Sequence, residues 1–339
     1  MACRGSGVQV PSAPLMKNNG DKSALTNLAI PKGWHENNIS DQSTKRFLIT
    51  GGTSGLGLVT ARELIRKGGE VTITARSMKK AEKALKLIGP AKVIELDLTD
   101  LASVKSAAAE VNSEKNKYDV VILNAGVMAT PFASTKDGFE LQMGTNHLGH
   151  FAFAGLIKNQ ISQRLISMSS QAHRMGAFGS GSISDVRDRC CGVGKYSPWA
   201  AYGASKLANL LFIAEVERRR LANHWSFIPL AAHPGWASTN LFSVGPEMAG
   251  KKLQGQATAF FNSIFAQSAL RGALPMLCAA TFPNLVGSSY LGPDGLGEMR
   301  GTPKLTRARA LAYDQTLAAN LWAVSEELTG VTWEDSPHA

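Results

Sequence analysis

The stretch TGGTSGLG, Thr50 to Gly57, puts four glycines into eight residues directly after the apolar run RFLIT. Outside low-complexity sequence, glycine at that density serves a backbone that must turn sharply or approach something closely. The spacing is Gly51-x3-Gly55-x-Gly57. If a strand ends at RFLIT and a helix begins near Leu56, the glycines allow the tight turn and let the helix pack close to the strand. They also leave the backbone amides of Thr53, Ser54 and Leu56 unshielded, and the positive end of the helix dipole then favours a diphosphate. Taken alone the motif is weak, since a glycine-rich turn can be merely structural.

The rest of the chain supplies the context. From Lys45 onward, short β-rich runs (RFLIT, GEVTITA, KVIELD, YDVVILN, RLISMS, FIPLAA and SSYLG) alternate with segments of helical period. Those segments are Leu56 to Lys67, Met78 to Ile88, Leu101 to Lys115, Gly138 to Asn159, Ala200 to Asn223, Gln267 to Ala280 and Thr306 to Leu328. The strands are apolar on both faces, as in a parallel sheet covered on both sides, and the alternation implies right-handed crossovers. The expected fold is a single-domain α/β Rossmann-type doubly wound parallel sheet of about seven strands, with helices on both faces. No repeat or low-complexity linker divides it. The domain is expected over residues 45–330, after a loose leader (1–44) and before a short tail (331–339).

Composition narrows the function classes. The 339 residues are 44% hydrophobic, enough for one large core. No apolar run approaches the roughly 18 to 20 residues needed to cross a bilayer, so no integral membrane span is expected. The net charge of +10 is scattered, with its densest cluster only Arg218 to Arg220, which argues against nucleic acid. The four cysteines, Cys3, Cys190, Cys191 and Cys278, form neither a disulfide framework nor a zinc set, which fits a cytoplasmic protein. MACRGSGVQVPSAP has no apolar h-region and is not a secretory signal. GVQVPS reads as translation through a transfer-RNA T-arm, so the start is expected at Met16, with IPKGW in the leader docking on the body.

A second test lies at the end of the second strand, where NAD enzymes carry a carboxylate for the ribose 2′-hydroxyl. Here VTITARS places Ala75 and Arg76 instead. An arginine there pairs with a 2′-phosphate, which favours NADP(H) over NAD(H); the alternative is a solvated surface arginine.

With these motifs in place the chain resembles a short-chain dehydrogenase/reductase, from about Phe47 to Thr239. TGGTSGLG matches the family's cofactor-binding glycines. Asp97, with Leu98, in ELDLTD resembles the adenine contact, and Asn124, Ala125 and Gly126 resemble the strand-end motif bordering the cofactor. YGASK supplies a Tyr-x3-Lys pair, Tyr202 and Lys206, both of which also border the cofactor. MSS supplies a serine, Ser170 with Ser169 as the structural alternative, and NHLGHF supplies Asn146. HPG, with Pro234 and Gly235, followed by Thr239, resembles the segment that holds the nicotinamide carboxamide.

Residue chemistry gives these positions roles. Tyr202 and Lys206, four apart on a helix, project from one face. An ammonium near a phenol favours phenolate, so the tyrosine pKa is expected to fall toward working pH, where it serves as general acid or base. Ser170 would hydrogen-bond the substrate oxygen and stabilise developing alkoxide charge. By resemblance, Asn146 would hold a water linking Lys206 to solvent.

The order NHLGHF, SSQAH, YGASKLANLLF and HPGWASTNL, with the long insertion between Ser170 and Tyr202, resembles the retinol dehydrogenase and protochlorophyllide reductase branch. The tail LAANLWAVSEELTG is similar to the C-terminal helix of bacterial members. Asn146 to Ser170 is about one helical turn shorter than that branch implies, which bears on where the intervening helix ends. The resemblance implies interconversion of an alcohol and a carbonyl on a small lipophilic substrate. The alternatives are NADPH-dependent C=C reduction and a non-catalytic NADP-binding protein. It also implies a homodimer or homotetramer through the helices after the fourth and fifth strands, in a branch that contains monomers too. His147 and His150 lack a third ligand, so no metal is expected. Leu241 to Ala266, rich in phenylalanine, reads either as a lid for a bulky apolar substrate or as a helix packed on the core.

Overall fold

The structure, a computed structural model, describes residues 29–235 and 268–333. Along the first half, β1 (Arg46–Ile49), α1 (Gly55–Arg66), β2 (Glu70–Ala75), α2 (Met78–Ile88), β3 (Lys92–Glu95), α3 (Leu101–Asn112) and β4 (Tyr118–Leu123) alternate strictly. There follow α4 (Gly149–Leu156), β5 (Ile161–Met168), α5 (Ile183–Cys191), α6 (Pro198–Asn223) and β6 (Ile228–Ala232). Beyond residue 267 come α7 (Ala269–Thr281), β7 (Tyr290–Pro293), β8 (Pro303–Leu305) and α8 (Gln315–Thr329).

The eight strands form one sheet in the order β3-β2-β1-β4-β5-β6-β7-β8, parallel except for the last pair. Strand residues feed two apolar clusters, one on each face: Leu48, Val121 and Leu165 on one side, Phe47, Ile122 and Ile166 on the other. The chain reverses its winding between β1 and β4, and in open sheets of this kind ligands bind in the crevice at the strand ends beside that switch.

Several expectations need correction. The sheet has an eighth strand, Pro303–Leu305, pairing antiparallel with β7. The helix expected from Thr306 begins only at Gln315, because the Asp314 side chain accepts from the Leu317 amide and caps it there. The residues before it are held elsewhere: the Arg309 amide donates to His173 Nε2, and its guanidinium donates to the carbonyls of Arg174 and Gly176. The helix expected over Gly138 to Asn159 is broken into a turn at Leu141–Met143, a π turn at Gly144–Leu148 and α4. The short spacing is absorbed by ending α4 at Leu156, so β5 keeps its place.

Both boundaries also move. IPKGW docks on the body as expected, with Trp34 buried in the core, and the burial continues past it to Ile39. The domain runs past Gly330, because Trp333 is 1% exposed and packs within 6 Å, between ring centres, of Phe151, Phe212, Trp225 and Trp322. Lys158 donates from its ammonium to the Trp333 carbonyl at 2.6 Å. A Trp333→Ala substitution is therefore expected to destabilise the fold by about 3–5 kcal/mol, as for other buried tryptophans, read as a lower midpoint in urea.

That cluster bears on association. The outer faces of α4 and α6, where pairing between copies was expected, are covered by α8 and Trp333 of the same chain.

Candidate active site

At the switch point lies a cleft of about 970 Å³. Its floor is the turn after β1: Gly51, Thr53, Ser54, Gly55 and Leu56 line it. Gly51 has φ +68°, a left-handed conformation open to glycine, and a Cβ there would lie 2.9 Å from that of Ala125. Gly57 does not line the cleft but sits beneath the turn, where a Cβ would come within 2.5 Å of the Gly51 carbonyl and the Asn124 amide. Ser54, the N-cap of α1, makes no side-chain capping bond, so the amides at the start of the helix face the cleft. Asp97 and Leu98 line one wall; the Asp97 carboxylate is turned by bonds from the Thr99 amide and hydroxyl at 3.0 and 2.7 Å. Arg76, exposed at the end of β2, lines the other wall.

Sequence reasoning missed several lining residues. Lys80 and Lys83, three apart on α2, also line the cleft; their i,i+3 spacing on the helix that follows VTITARS was the signal that could have found them. Thr145 also lines it and has a buried hydroxyl with no partner. An uncapped helix start, a glycine floor, three cations and an orphaned hydroxyl together fit a dinucleotide.

The opposite wall is Asn124, Ala125 and Gly126. Its hub is Thr50, the first residue of TGGTSGLG: its hydroxyl accepts from the amides of Asn124 and Ala125 at 2.9 and 3.0 Å. His150 Nδ1 lies 3.1 Å from the Asn146 carbonyl and so carries the proton, leaving Nε2 to accept from the Thr50 hydroxyl at 2.9 Å. Burial pushes the His150 pKa down to about 4, consistent with a neutral ring. The Asn146 side chain, on the π turn, is fully engaged. Its oxygen accepts from the Val127 amide, and its nitrogen donates to the Val127 carbonyl and the Ser205 hydroxyl.

Tyr202 and Lys206 lie on the buried face of α6 beside the end of β5, where the next residues are Ser169 and Ser170. Ser169 is buried and donates to the Lys206 carbonyl at 2.9 Å, a structural bond. Ser170 caps the following 3-10 turn, its hydroxyl accepting from the Ala172 amide at 3.2 Å, and its side chain favours the ionised form of the nearby Tyr202 hydroxyl. The Lys206 ammonium donates to the Met168 carbonyl at 3.0 Å and lies 5.7 Å from the Tyr202 ring centre.

The expected fall of the tyrosine pKa is reversed. Burial raises Tyr202 to about 12, and the same burial lowers Lys206 to about 8. Desolvation is the leading cause for each group, and the ammonium is turned toward the Met168 carbonyl rather than toward the phenol.

Pro234 and Gly235 follow β6, and Gly235 has φ +67° with its amide donating to His233 Nδ1 at 3.2 Å. Thr239 and the expected lid, Leu241 to Ala266, lie outside the described residues. Among the described residues no cluster of metal-binding side chains occurs, and Cys190, Cys191 and Cys278 are free thiols. No described helix is long and apolar enough to cross a membrane.

The cleft that fits a dinucleotide thus lies beside Ser170, Tyr202 and Lys206 at the strand ends. The family model for short chain dehydrogenases matches residues 45–184. Retinol dehydrogenase 14 of Mus musculus is 32% identical over 312 residues, spanning 85% of this chain and 86% of that protein. Retinol dehydrogenase 13 of Homo sapiens is 33% identical over 309 residues, 85% of each. A crystal structure of an uncharacterized protein from Mycobacterium Paratuberculosis superposes with a TM-score of 0.74 at 39% identity, covering 90% of this chain and 100% of that one. The chain belongs to the short-chain dehydrogenase/reductase family, in its retinol dehydrogenase-like branch. It is accordingly an oxidoreductase that uses a nicotinamide dinucleotide.

Proposed function

We propose that the protein is an NADP(H)-dependent oxidoreductase interconverting an alcohol and a carbonyl on a lipophilic substrate, with Tyr202 as the proton-transfer group. The observation that carries this reading is that Ser170, Tyr202 and Lys206 come together at the end of β5, next to the dinucleotide cleft. The retinol dehydrogenases among its relatives support the lipophilic class, as does the half-exposed Trp199, whose ring meets Tyr202 edge to face at 6.1 Å.

When bound, the reduced nicotinamide supplies the hydride. Ser170 and Tyr202 together hold the substrate oxygen, and Tyr202 gives its proton to that oxygen as negative charge develops there. A phenol kept neutral by burial is ready as an acid. Lys206, cationic below about pH 8, stabilises the charge left on the tyrosine oxygen. Asn146 acts as a clip that fixes Val127 behind the cleft, while Thr50 and His150 hold the Asn124–Gly126 wall. We read the protein as working as a monomer with respect to the α4 and α6 faces, which its own C-terminal residues cover.

A pH dependence follows. The cationic form of Lys206 is lost as pH rises through about 8, so carbonyl reduction is expected to hold steady at neutral pH and decline above that value. Alcohol oxidation, which needs Tyr202 to accept a proton, should instead climb with pH toward its raised value of about 12. Steady-state rates in both directions, taken on either side of the Lys206 value of about 8, check this; a reduction limb that rises through pH 8 contradicts it. A panel of aldehydes and ketones assayed for NADPH consumption tests the function itself, and enone substrates in the same panel separate C=O from C=C reduction.

A further inference from the structure

The loop between β7 and β8 carries a carboxylate that the mechanism above does not use. Glu298 has φ +56°, a left-handed backbone that costs a non-glycine residue roughly 1 kcal/mol or more. Its side chain is 16% exposed and points inward. One oxygen accepts from Gln171 Nε2 at 2.5 Å and lies 3.2 Å from His233 Nε2; the other accepts from the Thr306 hydroxyl. Burial alone would raise its pKa, but bonds from His233 and Thr306 outweigh it and hold the carboxyl below its ordinary range. His233 is fully buried, and burial pushes its pKa down, so the ring is neutral. Its Nδ1 accepts from the Gly235 amide, which leaves the proton on Nε2, facing Glu298.

The carboxylate therefore ties together two strand ends. Gln171 directly follows Ser170 at the end of β5, and His233 passes the anchor to the Pro234–Gly235 turn at the end of β6. The loop presses on that turn as well: a Cβ on Gly235 would lie 2.4 Å from the Met299 carbonyl. A strained residue kept in place by three donors, each from a different segment, marks a site whose geometry is over-determined.

We infer that Glu298 is a positioning residue: through His233 it sets the Pro234–Gly235 turn against the nicotinamide end of the cofactor, and through Gln171 it sets the catalytic Ser170. This rests on the reading of the site given under Proposed function. A carboxamide at 298 can keep the arrangement, with its oxygen toward Gln171 and His233 and its amino group donating to Thr306. An alanine cannot. Glycine loses the side chain too but relieves the left-handed backbone.

The test compares Glu298→Ala, Glu298→Gly and Glu298→Gln with wild type for kcat, for NADPH affinity, and for affinity toward 2′-phospho-ADP-ribose, the cofactor without its nicotinamide. Alanine and glycine are expected to weaken NADPH binding and lower kcat by about tenfold or more each, the scale of a lost charge-assisted network. Binding of 2′-phospho-ADP-ribose should be unchanged, and Gln should restore both losses. Glu298→Gly should melt at or above the temperature of Glu298→Ala, so that a functional loss in it cannot be ascribed to unfolding. Wild-type kcat and NADPH affinity in the Gly variant overturn the inference, as does an equal loss for both ligands. A wild-type protein that binds neither ligand overturns the reading of the site and the inference with it.

Discussion

Tyr202→Phe is expected to lower kcat for carbonyl reduction by about 10²–10⁴, the range for losing a positioned general acid, with cofactor affinity retained. The substitution removes one oxygen and leaves the ring, so the edge-to-face contact with Trp199 and the packing of α6 survive. What is lost is the hydroxyl that interacts with Ser170. A variant that still binds NADPH and no longer turns over isolates proton transfer from folding. A variant that reduces carbonyls as fast as wild type would sink the mechanism, and the next candidate would be a solvent-derived proton.

Arg76→Asp is expected to weaken NADPH binding by about 100-fold or more, because a charge-assisted pair is replaced by repulsion of the 2′-phosphate. NADH binding should hold or improve, since an acidic residue at this position suits a 2′-hydroxyl. Lys80 and Lys83 share the electrostatic role from the next turns of α2, and among the described residues none of the three cations is in an ion pair. Single alanine substitutions at the lysines should each cost about three- to tenfold in NADPH affinity, as point charges at a partly solvated phosphate. Titration of the quenching of the six tryptophans with each cofactor reads all of these. Wild-type protein that binds NADPH and NADH equally would reduce Arg76 to a solvated surface residue.

The parts of the site that were legible in the sequence are local. A glycine turn, a Tyr-x3-Lys pair and a strand-end Asn124–Gly126 each carry their geometry within a few residues. The alternation of β and helical runs is equally local, and it fixes the parallel sheet and its switch point. What stayed hidden depends on contacts between distant segments. Glu298 meets Gln171 across 127 positions and Thr50 meets His150 across 100, with no spacing to announce either. The start of α8 was misplaced for the same reason: residues 306–309 have helical composition but are held by His173 and Arg309's distant carbonyl partners. The direction of the tyrosine pKa also needed the fold, since adjacency of Lys206 is visible in the sequence and the depth of burial is not. Ser169 and Ser170 could be separated only once the bond to the Lys206 carbonyl was seen.

The cover that α8 and Trp333 place over α6 bears on how the enzyme is made. Tyr202 and Lys206 ride on a helix whose outer side, including Phe212, is closed over by Trp322 and Trp333. During synthesis those residues leave the ribosome roughly a hundred positions after α6, a delay on the order of ten seconds at ordinary elongation rates. For that interval the nascent chain presents the helix of Tyr202 and Lys206 with one greasy side open to chaperones and proteases. Ribosomes stalled before Leu317 should therefore hold an inactive, protease-sensitive chain, although Ser170, Tyr202 and Lys206 have already been made.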